Sequence, residues 1–405
     1  MKKLVLITTT SIMLSGCLTD DSNEDLFPSA LKTATSADST CSVDFDMAIQ
    51  TVATDYSSSK VALGCQSEGG VVDSYYSNTS DFTISSGDKL YHLGRTGSHS
   101  VSQYDYENAS IENWNYSTND DALETTKSNP YKVIEVSASK AYIIRYNETK
   151  VWIIDPSAQN ADDFKTGEID LSHYAASIDE LTATSVEMSD AILHDGKLFI
   201  AMQRLKNGSA DRSYENGSKV AVYDISNDTE IDTTPSNASD EKAITLVGAN
   251  VSNMSLLGDS IYIASRGNYT STGEFALFGA LEILNTTNYS LQTLVSGSEE
   301  QGHISDVAAI ADDSIYFTAD FSGMVNDEWV SKTGLYNFTG SSITTLIDES
   351  YNLELPEIEK DNLGNLWVAS ANPSNPGIYR FDILNEEANL FMPTQLVPRK
   401  IVFRK

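Results

Sequence analysis

One short pattern recurs along most of this chain of 405 residues. A turn of small polar residues is followed by a strand-like run of apolar and aromatic residues, as in 195–200 (DGKLFI) and 258–263 (GDSIYI). The aromatic position returns at intervals of 51 to 63 residues, at Tyr91, Tyr142, Phe199, Tyr262, Tyr316 and Trp367. A period near 50 residues leaves room for four short strands in each repeat, which is typical of a β-propeller and not of a helical solenoid.

Each copy of the pattern is followed by further strand-like segments of alternating character, as in 150–155, 219–224 and 377–382. Half-buried antiparallel strands require such alternation, and Asp-Gly, Gly-Asp and Gly-Asn pairs supply the positive φ of tight hairpins. The sequence therefore predicts an all-β fold, a β-propeller of seven four-stranded antiparallel blades. Six repeats are visible, and we expect the seventh from residues 41–85 together with the C-terminal segment 400–403. A six-bladed ring with an N-terminal appendage is the alternative.

The repeat is clearest over about 125–235, where it carries a family resemblance. Segments 129–131 (NPY), 140–146 (KAYIIRY) and 151–156 (VWIIDP) are similar to the YVTN/quinoprotein-like β-propeller lipoproteins of bacterial envelopes, and so are parts of 169–205. The resemblance implies an exported, lipid-anchored propeller. It implies no catalytic residues, because the fold hosts many functions.

The first seventeen residues indicate export. Lys2 and Lys3 precede an apolar stretch, 4–14, of about 11 residues, which is too short to span a membrane and has the length of a secretory signal. The segment 14–17 (LSGC) resembles a bacterial lipobox, in which the thiol of the cysteine, here Cys17, receives a diacylglyceryl group. In that family the chain is then cleaved before the cysteine.

The lipobox divides the chain into three predicted parts: a signal peptide (1–16), a lipidated flexible tether (17–40) and a propeller domain (41–405). The tether is rich in Ser, Thr, Asp and Ala and lacks apolar periodicity, as flexible linkers do. Leu18 follows the cysteine, which by resemblance to Gram-negative lipoproteins predicts sorting to the outer membrane. We therefore expect attachment to that membrane through the N-terminal lipid, and leave its periplasmic or cell-surface side open.

The remaining cysteines are Cys41 and Cys65. An exported domain folds in an oxidising compartment, so we expect these two to form a disulfide. In the chain-entropy model the closed loop stabilises the fold by about 3 kcal/mol. Two free thiols or a metal pair are the alternatives, although no CxxC motif or Cys/His cluster indicates zinc.

The charge balance disfavours nucleic acids and anionic lipid surfaces as partners, and we predict no binding to nucleic acid. With 58 acidic against 26 basic residues, the formal net charge is −32. Nucleic-acid binding needs a basic footprint that such a composition does not supply, and adhesion to an anionic lipid surface is disfavoured for the same reason.

Aligning the repeats places an arginine just beyond the repeated strand in four of them: Arg95, Arg145, Arg204 and Arg266. Acidic residues begin the preceding inner strand, with Asp190 and Asp306 at roughly equivalent positions. One interpretation is a pocket near the central channel in which guanidinium groups bind a small anionic ligand. The other is Arg–carboxylate pairing that holds neighbouring blades together.

No nucleophile elbow, P-loop, dinucleotide fingerprint or histidine metal motif is present in the sequence, so we predict no catalytic residue, cofactor or metal site. The leading hypothesis is a binding module that uses its loop face to bind a protein partner or a small anionic ligand. Two long connections, 203–219 and 268–279, are candidate contact loops. The alternative is an envelope lyase or hydrolase that acts on an anionic polysaccharide through an arginine-lined pocket.

Overall fold

The computed structural model describes most of the chain after residue 43. The described ranges are 44–67, 71–77, 79, 81–120, 128–175, 177–178, 181–182, 185–205, 217–234, 241–269, 275–276, 279–297, 302–325, 328–347, 354–372, 376–383, 387–394 and 396–405. The predicted signal peptide and tether, with Cys17 and Cys41, lie outside them. The lipid site and the Cys41–Cys65 bridge therefore stay predictions, and Cys65 itself is fully buried. No helix within the described ranges is long and apolar enough to cross a membrane.

The described chain is almost entirely β-strand, and seven antiparallel sheets form the blades of a propeller. The closing blade begins with β1 (Met47–Val52), β2 (Ser59–Gly64) and β3 (Val71–Ser77). Blade 1 contains β4 (Phe82–Ser86), β5 (Leu90–Gly94), β6 (Ser100–Asp105) and β7 (Asn108–Ser117). Blade 2 contains β8 (Pro130–Ser137), β9 (Lys140–Arg145), β10 (Lys150–Ile154), the one-turn helix α1 (Ala161–Phe164) and β11 (Lys165–Asp170).

A 3₁₀ turn (Ser172–Tyr174) and a small hairpin, β12 (Ser177–Ile178) and β13 (Leu181–Thr182), lead to the next blade. Blade 3 contains β14 (Met188–His194), β15 (Lys197–Met202), β16 (Lys219–Asp224), β17 (Thr229–Glu230) and β18 (Ile244–Thr245). Blade 4 contains β19 (Val251–Leu257), β20 (Ser260–Ser265), the small hairpin β21 (Asn268–Tyr269) and β22 (Phe275–Ala276), β23 (Ala280–Asn285) and β24 (Leu291–Ser296).

The last two complete blades have the same order. Blade 5 contains β25 (His303–Ala311), β26 (Ser314–Val325), β27 (Glu328–Phe338) and β28 (Ile343–Ile347). Blade 6 contains β29 (Glu357–Lys360), β30 (Leu366–Ser370), β31 (Gly377–Asp382) and β32 (Glu387–Pro393), and the chain ends with β33 (Val397–Phe403).

Strands from the two ends of the described chain close the ring. The C-terminal β33 pairs with β1, with Ile401 opposite Ile49, and becomes the innermost strand of the closing blade. The seven innermost strands contact one another in cyclic order, β33, β4, β8, β14, β19, β25, β29 and back to β33. This circuit confirms the predicted seven-bladed ring and the predicted sharing of the closing blade. The alternative of six blades with an N-terminal appendage is wrong.

The repeated aromatic residue lies on the second strand of blades 1 to 6, as the repeat predicts. Tyr91, Tyr142 and Trp367 are fully buried there. The second strand of the closing blade, β1, has the sequence MAIQTV and carries no aromatic residue. This difference explains why the seventh repeat is not visible in the sequence.

The hydrophobic core lies between neighbouring blades. Tyr142 and Ile144 of blade 2 pack in one cluster with Leu198 and Ile200 of blade 3. Each sheet thus buries both of its faces, which is why strands such as β15 (KLFIAM) are continuously apolar after their first residue.

The propeller has two different faces. On the lower face lie the turns that join the first strand of a blade to the second, such as the turn at Gly87. The backbone N–H of Arg404 donates to Asp46 O at 2.9 Å, and that of Lys405 donates to Gly87 O at 3.2 Å, so residue 46 and the C-terminus lie on this lower face. The upper face carries the connections from the second to the third strand and from one blade to the next. There the long hairpin of β26 and β27 extends to the Val325–Glu328 pair.

The closing contact gives a stability prediction. Ile401 is fully buried in a cluster with Trp367 and Ile49, so Ile401→Ala leaves a cavity where three strands meet. We expect it to lower the free energy of unfolding by about 3 kcal/mol, measured by urea denaturation. Val247→Ala is the control, because that side chain is 68% exposed and its truncation should change stability by less than about 0.5 kcal/mol. Equal effects of the two substitutions would contradict the closure role.

Candidate binding site

A cavity of about 780 Å³ lies on the propeller axis, and its wall is formed by the inner strands of all seven blades. One residue of each inner strand occupies an equivalent place in this wall. In every blade this residue is opposite the same position of the second strand, which is the position two residues after the repeated aromatic one. We call this set the polar ring: Thr83, Lys132, Asp190, Asn253, Asp306, Glu357 and Lys400.

Five of the ring positions adjoin a β-bulge. The register of the inner strand shifts next to Lys132, Asp190, Asn253, Asp306 and Lys400. A bulge inserts one extra residue and redirects the side chains beside it. The bulges therefore help to place polar side chains at the wall of a propeller whose strands are otherwise apolar.

Asp190 joins three blades. One carboxylate oxygen, Oδ1, is 2.5 Å from Lys132 Nζ and also accepts the N–H of Ala191 at 2.8 Å. The other, Oδ2, accepts the backbone N–H of Met254 on the inner strand of blade 4 at 2.8 Å. A side chain that is almost fully buried thus has all of its polar atoms paired, as a buried carboxylate requires.

Asp306 makes an equivalent link two blades further on, between blades 5 and 6. Its Oδ1 accepts the N–H of Val307 and its Oδ2 accepts the N–H of Ile358 on blade 6, both at 2.8 Å. Burial raises the pKa of Asp306 to about 7, against the effect of nearby Lys400. One layer below, Ser85 Oγ accepts the N–H of Val133 at 3.1 Å, which extends this kind of link to blades 1 and 2.

Blade 6 contributes two carboxyl groups to the cavity wall. Glu357 forms an ion pair with Lys400 of β33, and Glu359 lies in the wall one layer below. Burial raises the pKa of both carboxyls. Burial alone would lower the pKa of Lys400, but its carboxyl neighbours outweigh burial and raise it, so Lys400 remains a cation.

The lower part of the cavity is crossed by a third lysine. Lys360 Nζ donates to the backbone carbonyls of Ala309, at 2.8 Å, and of Leu256. Its ammonium therefore ties blade 6 to blades 5 and 4 near the lower face.

Two of the four predicted arginines lie away from the cavity wall. Arg145 is fully buried and donates from Nη1 to Asp120 Oδ2 at 2.9 Å and to Thr118 O at 3.0 Å, which joins blade 2 to the end of blade 1. Arg204 donates to the carbonyls of Tyr174, at 2.8 Å, and Gly217, at 3.1 Å, and burial lowers its pKa. Both guanidinium groups hold connections of the upper face.

The other two arginines line the cavity near the upper face. Arg95 Nε donates to Asn129 Oδ1 at 3.1 Å, and its guanidinium lies 4.2 Å from the centre of the Tyr131 ring. Arg266 is exposed and follows β20. The structure thus brings Arg95, Arg266 and the two predicted aspartates into one wall and separates Arg145 and Arg204 from them.

The sequence analysis did not place Lys132 and Lys400 in the site. The sequence did contain a signal for Lys132. In blade 2, Lys132 lies two residues before the residue that pairs with the repeated aromatic residue, and Asp190 has the same position in blade 3. Lys400 enters the ring only through the pairing of β33 with β1.

Within the described ranges, no three His, Cys, Asp or Glu side chains are grouped so that they could hold a metal ion. Most of both candidate contact loops lies outside the described residues.

Comparison with solved structures supports the propeller fold. A 6-phosphogluconolactonase-like protein of Bacteroides fragilis aligns over 90% of this chain and 99% of its own, with 11% identity and a TM-score of 0.54. A chain of a mitotic checkpoint complex aligns over 94% and 98%, with 10% identity and a TM-score of 0.51. A virginiamycin B lyase of Staphylococcus aureus aligns over 75% and 80%, with 11% identity and a TM-score of 0.46. At identities this low the first two matches establish a shared fold alone, and the third adds nothing to that argument. Neither a protein-family model nor a curated protein sequence matches the chain.

The contacts of Asp190 predict a large effect of its removal. Asp190→Ala leaves the Met254 N–H without its acceptor and Lys132 without its partner. We expect the free energy of unfolding to fall by about 3 kcal/mol, measured by urea denaturation at pH 7. Asn253→Ala is the matched control at the equivalent ring position of blade 4, with an expected loss below about 1 kcal/mol. Equal losses of stability in Asp190→Ala and Asn253→Ala would refute the role of Asp190.

The raised pKa of Glu359 predicts that a neutral side chain at this position stabilises the protein at neutral pH. The unfolded chain releases the Glu359 proton near the usual glutamate pKa, whereas the folded protein retains it to higher pH. The carboxyl therefore lowers the free energy of unfolding as the pH rises above the usual glutamate pKa, and it has no such effect at lower pH. Glu359→Gln should therefore raise the free energy of unfolding at pH 7 by about 1 kcal/mol and leave it unchanged near pH 4.

Urea denaturation at the two pH values tests this expectation. Glu168→Gln is the control of opposite sign, because hydrogen bonds from Lys150 and Lys165 lower the pKa of Glu168 on the surface. That variant should lose a little stability at pH 7. A loss of stability at pH 7 in Glu359→Gln would show that its charged form is favoured in the fold.

Proposed function

We propose that this chain is an exported, lipid-anchored β-propeller that binds a small polar ligand in the upper part of its central cavity. The observation that carries the proposal is the polar ring, in which charged side chains from five blades line one central cavity. Ion pairs with a buried carboxylate contribute less to stability than apolar packing of the same volume, so their concentration at a cavity favours recognition. A volume of about 780 Å³ lies within the range of small-molecule pockets.

The anchor belongs to the proposal on sequence grounds, through the resemblance of residues 14–17 to a lipobox and of Leu18 to outer-membrane sorting signals. The fold adds an orientation. Asp46 lies on the lower face, where Arg404 binds its carbonyl, so a lipid on Cys17 would attach the propeller from that face. A flexible tether of the predicted length spans on the order of 30 Å. The upper face, with Arg95 and Arg266, would then point away from the membrane.

The arrangement does not favour the alternative of a lyase or hydrolase acting on an anionic polysaccharide. That function needs Arg145, Arg204 and Arg266 in one open pocket. The first two instead donate to backbone carbonyls within and between blades. We therefore propose binding, with the ligand held by residues of the polar ring.

One experiment tests anchor and binding separately. In the full chain, Cys17→Ser should abolish the incorporation of labelled fatty acid into the exported protein, and unchanged incorporation would refute the lipid anchor. Native mass spectrometry of this unlipidated variant, equilibrated with a low-molecular-mass extract of the host envelope, should show an added small-molecule mass that is lost on denaturation. The added mass should disappear when Lys400→Gln is combined with Glu357→Gln, which removes one ion pair of the ring. The absence of any added mass, or an added mass that this pair of substitutions leaves unchanged, would refute binding in the cavity.

A further inference from the structure

The cationic and the acidic members of the polar ring lie on different blades. Lys400 of the closing blade and Lys132 of blade 2 flank blade 1, whose own ring residue is Thr83. Arg95 follows the second strand of blade 1 and lines the same cavity near the upper face. The acidic ring members lie on the other blades: Asp190, Asp306 and Glu357.

We propose that Lys400, Thr83, Lys132 and Arg95, which we call the blade 1 wall, form a subsite for an oxyanion of the ligand, a carboxylate or a phosphate group. The proposal rests on the proposed binding function and adds the class of ligand. Two ammonium groups, a hydroxyl and a guanidinium are the donors that bind such groups in proteins.

Both lysines keep donors for a ligand. Lys132 pairs with Asp190 on blade 3 and Lys400 with Glu357 on blade 6, so each carboxylate partner lies on the side away from blade 1. An ammonium has three N–H donors. The side chains of Lys132 and Lys400 are 39% and 28% exposed, which leaves surface on both ammonium-bearing chains for further contacts.

The cavity is unusually rich in basic side chains for a strongly acidic protein. Among the described residues, six of the 26 basic residues of the chain line this one cavity: Arg95, Lys132, Arg266, Lys360, Lys400 and Lys405. Burial also raises the pKa of Asp306, Glu357 and Glu359, so these carboxyls cancel less of the positive charge than their number suggests. At long range the net charge of −32 opposes an anion, so short-range donors must hold it.

The acidic side of the ring restricts the rest of the ligand. At the level of the polar ring, a second anionic group opposite the blade 1 wall would face Asp190, Asn253, Asp306 and Glu357, where the ring supplies no cation. Arg266 lies above this side, near the upper face, and the Lys360 ammonium below it is held by the backbone carbonyls of Leu256 and Ala309. We therefore infer a ligand with one anionic group and, at its other end, hydroxyl or ammonium groups.

Calorimetric titration of the full chain carrying Cys17→Ser tests the subsite, with inorganic phosphate, lactate and succinate as probes at constant ionic strength and pH 7. We expect phosphate or lactate to bind, and whichever binds identifies the oxyanion. Succinate, with an anion at each end, should bind at least fivefold more weakly than lactate. Lys132→Gln and Thr83→Val should each weaken binding of the bound probe at least fivefold.

Two variants complete the design. Glu357→Gln with Lys400→Gln keeps a neutral hydrogen-bonding pair in the fold and should also weaken binding at least fivefold. Lys140→Gln is the matched control, because Lys140 is 26% exposed, pairs with Asp228 at 2.9 Å and lies outside the cavity wall. It should bind as the unsubstituted chain does.

The outcomes separate this inference from the proposed function. If phosphate, lactate and succinate all fail to bind, or bind equally to the Lys132→Gln and Lys140→Gln variants, the oxyanion subsite is refuted. If the extract still yields an added mass that depends on Glu357 and Lys400, binding in the cavity stands without the subsite. If neither probes nor extract bind, both proposals fail.

Discussion

The pairing of β33 with β1 is the contact on which the rest of the molecule depends. An open array of blades would leave an apolar sheet face uncovered at each end, and closure removes both exposed faces at once. Ile401, Ile49 and Trp367 fill the space where the two ends of the described chain meet blade 6. The same strand carries Lys400 into the central cavity, so the step that completes the fold also completes the polar ring.

Closure produces a cavity because seven inner strands cannot meet at one axis. Their backbone groups and inward polar side chains must then find partners across blade boundaries, and Asp190, Asp306 and Ser85 do this by accepting N–H groups of the next blade. These residues position the ring. Lys132 and Lys400 are held by it but keep exposed surface, which makes them the ring members best suited to touch a ligand.

The two faces of the propeller have different roles in this arrangement. The lower face holds residue 46, the C-terminus and the carbonyls bound by Lys360. The upper face holds the four repeated arginines and the long hairpin of β26 and β27. Arg145 and Arg204 show that a repeated position does not imply a repeated role, because the connections that each arginine meets differ from blade to blade. Only where the neighbouring connection leaves space, as at Arg95 and Arg266, does the side chain reach the cavity.

Much of the fold follows from the sequence alone, since a period of about 50 residues with alternating strands is typical of a ring of small sheets. The same alignment placed Asp190 and Asp306 at one level of the inner strands, because strand register is set by local spacing. It could not determine that Lys400 joins them, since that contact links residues more than 300 positions apart and depends on ring closure. Nor could it separate Arg145 from Arg95, because burial is decided by the connections packed above each strand. Local periodicity thus determined the blades, and long-range pairing determined which charges share the cavity.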